Sequence, residues 1–199
     1  EALAHPSVVA LSIGTRPDCL GEDVLDLLNE LNQRKPVWVE LGLQTMHERT
    51  AVYIRRGYPL SCFEDAVQNL RKRQIEVIVH TILGLPGESE KDILETMQYL
   101  NGQDIQGIKL QLLHVLKGTD LAEDYVAGKF RVYEREEYLN LLIDCLEHLD
   151  PSIVIHRMTG DGPEKLLIAP LWASRKREVL NLLHHEMKVR NSWQGKQLQ

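Results

Sequence analysis

The 199-residue sequence predicts an α/β fold, a partial TIM-type (β/α) barrel of four βα units followed by a carboxy-terminal helical extension. Three observations carry this prediction. Short β-branched runs alternate with amphipathic helical stretches. The strand-like runs begin about 30 to 40 residues apart, the spacing of repeated βα units. The runs are also nearly continuously apolar, as parallel strands covered by helices should be.

The elements follow in order. Val8–Ile13 reads as a strand, and Glu22–Asn32 as a helix in which Val24, Leu25, Leu27, Leu28 and Leu31 recur at helical spacing. Val37–Leu41 is the second strand. His47–Ile54 and Ser61–Arg73 are helices, the latter opening on a Ser61/Glu64 capping-box pattern. Glu76–Leu83 is the third strand and runs into Gly84-Leu85-Pro86-Gly87, after which Ser89–Leu100 is a helix with Ser89 as cap and Asp92 at its third position. Gly107–Leu113 is the fourth strand. Beyond Gly118 the pattern changes to helices over Asp120–Ala127, Tyr133–Leu149 and Ala173–Val189, with a strand-like run at Ser152–His156 and a polar turn region at Arg157–Glu164. The chain is expected to form one domain, with residues 1–118 as partial barrel and 119–199 as an extension packed on it.

Composition narrows the function classes. A net charge of -6 argues against broad, sequence-independent nucleic-acid binding, which needs a basic surface. No apolar stretch approaches the roughly 18 residues needed to span a membrane, and the start does not resemble a signal peptide, so a cytoplasmic location is expected. Cys19, Cys62 and Cys145 lie far apart, with neither metal-ligand spacing nor a disulfide framework. Glu1 is not a methionine and the first strand-like run begins only at Val8, the pattern expected of a chain cut inside a fold or equally of a processed one.

In parallel βα architectures ligands bind at the carboxyl ends of the strands. Those ends carry Gly14–Asp18, Glu40–Thr45, His80–Glu88 and Lys109–His114, all with polar residues, which points to a shared ligand pocket. Glu40 suits ribose hydroxyls or an ion pair. Gln44 can both donate and accept, for a ribose or a carboxylate, or can cap its loop. Arg55 and Arg56 close a helix, where cations complement the dipole. His80 is either a ligand contact or a satisfied core histidine, and His184 and His185 belong on the surface. The two glycines of the Gly84–Gly87 turn allow positive φ and close backbone approach to a flat ligand, while Pro86 stiffens the loop. Glu40, His80 and His114 could instead serve as acid–base groups of an ordinary barrel enzyme.

Taken together, Glu40–Thr45 (ELGLQT), Arg55–Tyr58 (RRGY) and His80–Glu88 (HTILGLPGE) resemble the radical S-adenosylmethionine (SAM) superfamily, near its coproporphyrinogen-type and elongator-type members. Ile13–Asp18, Gly107–His114, Lys117–Thr119 and Ala169–Trp172 narrow the resemblance to the YhcC-like group of iron–sulfur oxidoreductases. It covers residues 7 to 190. The resemblance implies a partial (β/α)6 barrel, a [4Fe–4S] cluster on a Cys-x-x-x-Cys-x-x-Cys motif, and reductive cleavage of SAM to a 5′-deoxyadenosyl radical. It places Gln44 on the SAM ribose, Arg56 on the methionyl carboxylate, and His80 where relatives often carry an aspartate facing the ribose. Gly84, Pro86 and Gly87 would pass beside the adenine, and Glu40 and Arg16 would border the pocket.

The sequence departs from the family in having no such cysteine motif. The expectation is therefore an enzyme fragment that holds no cluster and binds SAM weakly or not at all. It would be inactive alone and would self-associate through an open sheet edge. The substrate is open, with tRNA or a protein suggested by analogy to relatives. The alternative is a cluster-free (β/α) domain that binds a small ligand or a protein partner.

Overall fold

The computed structural model describes residues 2–160 and 162–198. Its main sheet is parallel, in the order β1 (Leu11–Thr15), β2 (Val37–Gln44), β3 (Glu76–Leu83), β4 (Gly107–Leu112), β6 (Val154–Arg157). The connections carry α1 (Glu22–Asn32), α2 (Glu48–Tyr53), α3 (Leu60–Lys72), α4 (Glu90–Asn101) and, before β6, α5 (Asp120–Val126) and α6 (Arg135–Glu147). A final helix, α7 (Lys176–Val189), follows. The four expected strands are present. The fifth, β6, comes from the segment beyond residue 118 and pairs with β4 from Gly107↔Val154 onward. The strand-like run at Ser152–His156 is thus part of the barrel sheet. β5 (Val115–Leu116) and β7 (Leu167–Ala169), too short to show alternation, form a separate antiparallel ribbon.

Alternation in the central strands separates two faces. Val37, Val39, Leu41 and Leu43 of β2, Val77, Val79 and Leu83 of β3, and Ile108, Leu110 and Leu112 of β4 share one apolar core. Leu25 and Leu28 of α1, Phe63, Val67 and Leu70 of α3, Ile93 and Met97 of α4, and Tyr138 and Leu142 of α6 complete it. The intervening residues, among them Glu40, Gln44, His80, Lys109 and Gln111, lie on the opposite face and are half-buried. One sequence pattern thereby commits one side of the sheet to helices and leaves the other polar.

Local boundaries differ from the sequence reading for physical reasons. β1 starts three residues later than expected: Val9 is largely exposed, and pairing begins where Leu11 donates its N–H to the Pro36 carbonyl. The Ser61/Glu64 capping box does not form. Pro59 occupies the N-cap with no side-chain bond, and the Leu60 amide donates to Glu48 Oε1 at 2.5 Å. Glu64 instead accepts the Tyr99 hydroxyl at 3.1 Å. The Ser89 box is present: Asp92 N–H donates to Ser89 Oγ at 3.3 Å, and Ser89 N–H donates to Asp92 Oδ2 at 2.8 Å. Ser89→Ala should cost about 1 kcal/mol in urea denaturation. An unchanged midpoint would show that Asp92 alone holds this helix start.

Candidate functional site

The carboxyl ends of β2 and β3 place the candidate residues in three neighbouring groups. The first is built on a bulge. The β2–β3 register slips between Gly42 and Gln44, and Gln44 takes φ 62°, in the left-handed region that non-glycine residues seldom adopt. The bulge turns the Gln44 amide back over Gly42, where a Cβ would stand 2.5 Å from Gln44 Nε2. Tyr58 donates its hydroxyl to the Gly42 carbonyl at 2.6 Å and lies 3.2 Å from Gln44 Oε1. Two guanidinium groups flank this ring, Arg16 at 5.3 Å and Arg56 at 5.1 Å from its centroid.

The two arginines differ sharply. Arg56 is buried, its side chain 1% exposed. It donates to the Tyr58 carbonyl at 3.0 Å, to the Thr45 and Leu43 carbonyls at 2.7 and 3.2 Å, and to Glu48 Oε1 at 3.0 Å. Two of these four bonds are thereby spent on the carbonyls that flank Gln44 on either side. Arg16 is half exposed and makes a two-pronged pair with Asp18, at 2.9 and 2.6 Å. A cleft of about 340 Å³ opens here, lined by Arg16, Gln44, Arg56 and Tyr58 above a floor that includes Ile82, Leu85 and Leu113. An apolar floor under a polar rim suits a ligand with a flat body and a charged end.

The second group is the turn after β3. Gly84 and Gly87 have φ of 87° and 82°, as the two glycines require. A Cβ on Gly84 would lie 2.9 Å from the Tyr133 ring, so this turn packs face-on against the segment leading into α6. Pro86 and Gly87 face a second groove with Lys129 and Arg131, while Leu85 turns inward to the cleft.

The third group crosses the sheet on its helix-free face. Glu40 Oε1 accepts from Ser12 Oγ at 2.8 Å, and Glu40 Oε2 accepts from Lys109 Nζ at 2.5 Å and His80 Nε2 at 2.8 Å. Gln111 Nε2 lies 2.9 Å from His80 Nδ1, which completes a chain across four strands. Burial alone would raise the Glu40 pKa, but the donors Lys109, Ser12 and His80 outweigh it and hold the carboxyl at about 2. His80 is pushed below the usual histidine value, chiefly by burial and against the pull of Glu40. A depressed carboxylate pKa stabilises the fold above the ordinary value of 4.5, and that contribution is lost as pH falls from 4.5 toward 2. Glu40→Gln should therefore flatten the acid limb of a stability–pH curve across that window. An unchanged slope would remove Glu40 from the acid transition.

His114, grouped with Glu40 and His80 in the acid–base reading, packs instead against Gly160 and Gly162, in a pocket with Pro163 and Ala173. His184 and His185 are exposed, as expected. Sequence reasoning missed Tyr58 as the hub between Gln44 and the two arginines, and Glu48 as the partner of both Arg56 and the α3 amino terminus. Only the RRGY run hinted at Tyr58; Glu48 left no local signal.

The cysteines do not fit an iron–sulfur cluster in this chain. Cys19 is exposed, Cys62 half-buried and Cys145 buried, where desolvation pushes its thiol far up. Among the described residues the ligand atoms that converge are those of His47, Asp92 and Glu95. His47 Nε2 is 2.8 Å from the Asp92 carbonyl, and the Asp92 carboxylate is already bonded to Ser89 and Arg49. The cleft is different. Its size, apolar floor and Gln44–Tyr58–arginine rim fit the nucleoside and amino-acid ends of SAM. No helix among the described residues is long and apolar enough to cross a membrane.

Comparisons with known proteins agree in direction. Residues 2–100 match the Radical SAM superfamily, and residues 105–189 match the Radical SAM C-terminal domain. The chain is 47% identical to YtqA of Bacillus subtilis over 98% of its length and 37% identical to YhcC of Escherichia coli over 88%. It spans 61% and 57% of those two proteins. A tRNA uridine(34) acetyltransferase of Methanocaldococcus jannaschii is 26% identical over 83% of the chain, which spans 30% of that protein. In three dimensions the chain is similar to the Elp3 protein of Methanocaldococcus infernus, with a TM-score of 0.81 at 22% identity, over 94% of this chain and 43% of that one.

Proposed function

The chain belongs to the radical SAM superfamily, and we propose on that premise that it is part of a longer SAM-dependent iron–sulfur oxidoreductase, to which it contributes the SAM-binding portion of a (β/α) barrel. The observation that supports this reading most is the cleft at the ends of β2 and β3, where Gln44, Tyr58 and Arg56 converge with Leu85 of the turn after β3. SAM, reduced by a [4Fe–4S] cluster, would supply a 5′-deoxyadenosyl radical. The cluster ligands would come from outside these 199 residues, since the chain's own cysteines do not converge. Gln44, held over Gly42 by its bulge, would meet the ribose. Arg56 would fix the loop that presents Gln44, and its remaining N–H, with Arg16, would face the amino-acid carboxylate. Ile82, Leu85 and Leu113 would exclude water beneath the adenine.

The substrate belongs to the longer protein, and tRNA is the first class to test because a relative is a tRNA uridine(34) acetyltransferase. Expressed alone, the chain presents β1 as a sheet edge with a strand partner on one side. Self-association through that edge is expected, and a concentration-independent monomer mass would exclude it.

The deciding experiment is anaerobic cluster reconstitution of the full-length protein followed by a SAM-cleavage assay, with S-adenosylhomocysteine binding measured in parallel. Bound iron and 5′-deoxyadenosine release support the reading. Gly42→Ala, whose added methyl displaces the Gln44 amide, should then weaken S-adenosylhomocysteine roughly tenfold with little change in stability. A full-length protein that holds no iron and does not cleave SAM would make this a cluster-free binding domain.

A further inference from the structure

We propose that the Ser12–Glu40–His80–Lys109–Gln111 cluster is a receptor for an anionic substrate group, a carboxylate or a phosphate, with Lys109 and Gln111 as its direct contacts. This goes beyond the SAM reading and concerns the face of the sheet that also carries Gln44. The interior of a closed (β/α) barrel is ordinarily filled by layers of branched apolar side chains. Here four adjacent strands place a serine, a carboxylate, an imidazole, an ammonium and an amide side by side, with Lys109 and His80 directly paired in register. Lys109 and Glu40 are only 15% and 18% exposed, and charges so far withdrawn from water need partners.

What those partners leave over identifies the ligand. Glu40 already accepts three hydrogen bonds, and both His80 nitrogens are engaged. Among the described residues, Lys109 with its three N–H groups makes one bond, to Glu40, and Gln111 makes one, to His80. The remaining capacity is therefore two ammonium N–H groups, one amide N–H and one amide oxygen, three donors against one acceptor. The charge balance points the same way. Lys109 offsets Glu40, so the cluster keeps no spare negative charge that would repel an anion. A cation would meet Lys109 head-on. A neutral amide could use Gln111 and accept from the ammonium, but it would lack the charge–charge attraction that an anion gains there.

The test uses the full-length protein labelled at histidine and lysine side chains and titrated by NMR with inorganic phosphate, with acetate, and with acetamide as the neutral control. The expected result is a saturable shift of the His80 ring and Lys109 Nζ signals with phosphate or acetate, and none with acetamide. Which anion binds more tightly tells a phosphate substrate from a carboxylate one. The double variant Glu40→Gln/Lys109→Met removes both charges together, so no buried charge is stranded, and should weaken the anion roughly tenfold or more. Gln111→Leu should weaken it less. Absence of a saturable shift, an equal shift with acetamide, or an unchanged affinity in the double variant overturns the proposal and leaves the cluster a purely structural ion pair. S-adenosylhomocysteine binding by the same sample reports separately on the cofactor cleft. Anion binding without it would keep this assignment while removing the SAM reading.

Discussion

Arg56→Met should destabilise the chain by about 3 kcal/mol, the largest loss expected from any single polar substitution near the cleft. Methionine matches the aliphatic stem but carries no donors. The Thr45 and Tyr58 carbonyls lose the N–H groups that reach them at 2.7 and 3.0 Å, and Glu48 loses its cation. The damage should be local as well as global. Arg56 ties residues 43, 45 and 58 together across the Gln44 bulge, so its loss should release the bulge and lower S-adenosylhomocysteine affinity. Arg56→Lys keeps the charge yet cannot reach four acceptors from one nitrogen, and should recover less than half of the stability. Denaturant titration of the three proteins decides the matter. A stable Arg56→Met protein with selectively lost ligand binding would make Arg56 a ligand contact and nothing more.

Gly84→Ala should cost about 2–4 kcal/mol, from two additive sources. The residue sits at φ 87°, a conformation that charges any Cβ roughly 1–2 kcal/mol. The same Cβ would lie 2.9 Å from the Tyr133 ring, which is held between the turn and the core and has little room to retreat. Tyr133→Ala in the same background should recover the steric part and leave the conformational part. Gly87, at φ 82° but with open space where its Cβ would be, is the internal control. Gly87→Ala should show the conformational cost alone. Equal losses at the two glycines would remove the Tyr133 contact from the account.

The repeating βα pattern was legible because strand alternation and helix periodicity are local. Val37–Leu41 and Glu76–Leu83 declare themselves within a few residues, and the Ser89/Asp92 box could be read and is present. β6 gives a weak signal because four residues, alternately exposed and half-buried, carry little apolar pattern; pairing with β4 is what makes them a strand. The same holds for the site. Gln44 and the Gly84–Gly87 turn stood out as residue types at strand ends. The arrangement of Arg56 did not, since three of its four partners are backbone carbonyls that every sequence possesses. Nor could the Ser61/Glu64 pattern reveal that Glu48, twelve residues before Leu60, had already taken the amide that a cap would serve.

The β5–β7 ribbon sets a boundary of cooperativity. Its core is Val115, Ala122 and Ala169, with Tyr125, Phe130, Val132 and Ile168 packed around them, apart from the cluster that holds the main sheet. So small a nucleus should open on its own, well before the parallel strands. Amide hydrogen exchange should show Val115, Leu116 and α5 exchanging through a sub-global opening, while β2, β3 and β4 exchange only on global unfolding. Because α5 shares a surface with α2 through the Tyr53–Asp124 hydrogen bond, each such opening also frees one flank of the helix that follows Gln44. The rate at which a ligand enters or leaves the cleft would then be set by the breathing of this ribbon, and its affinity by the rigid strands beneath.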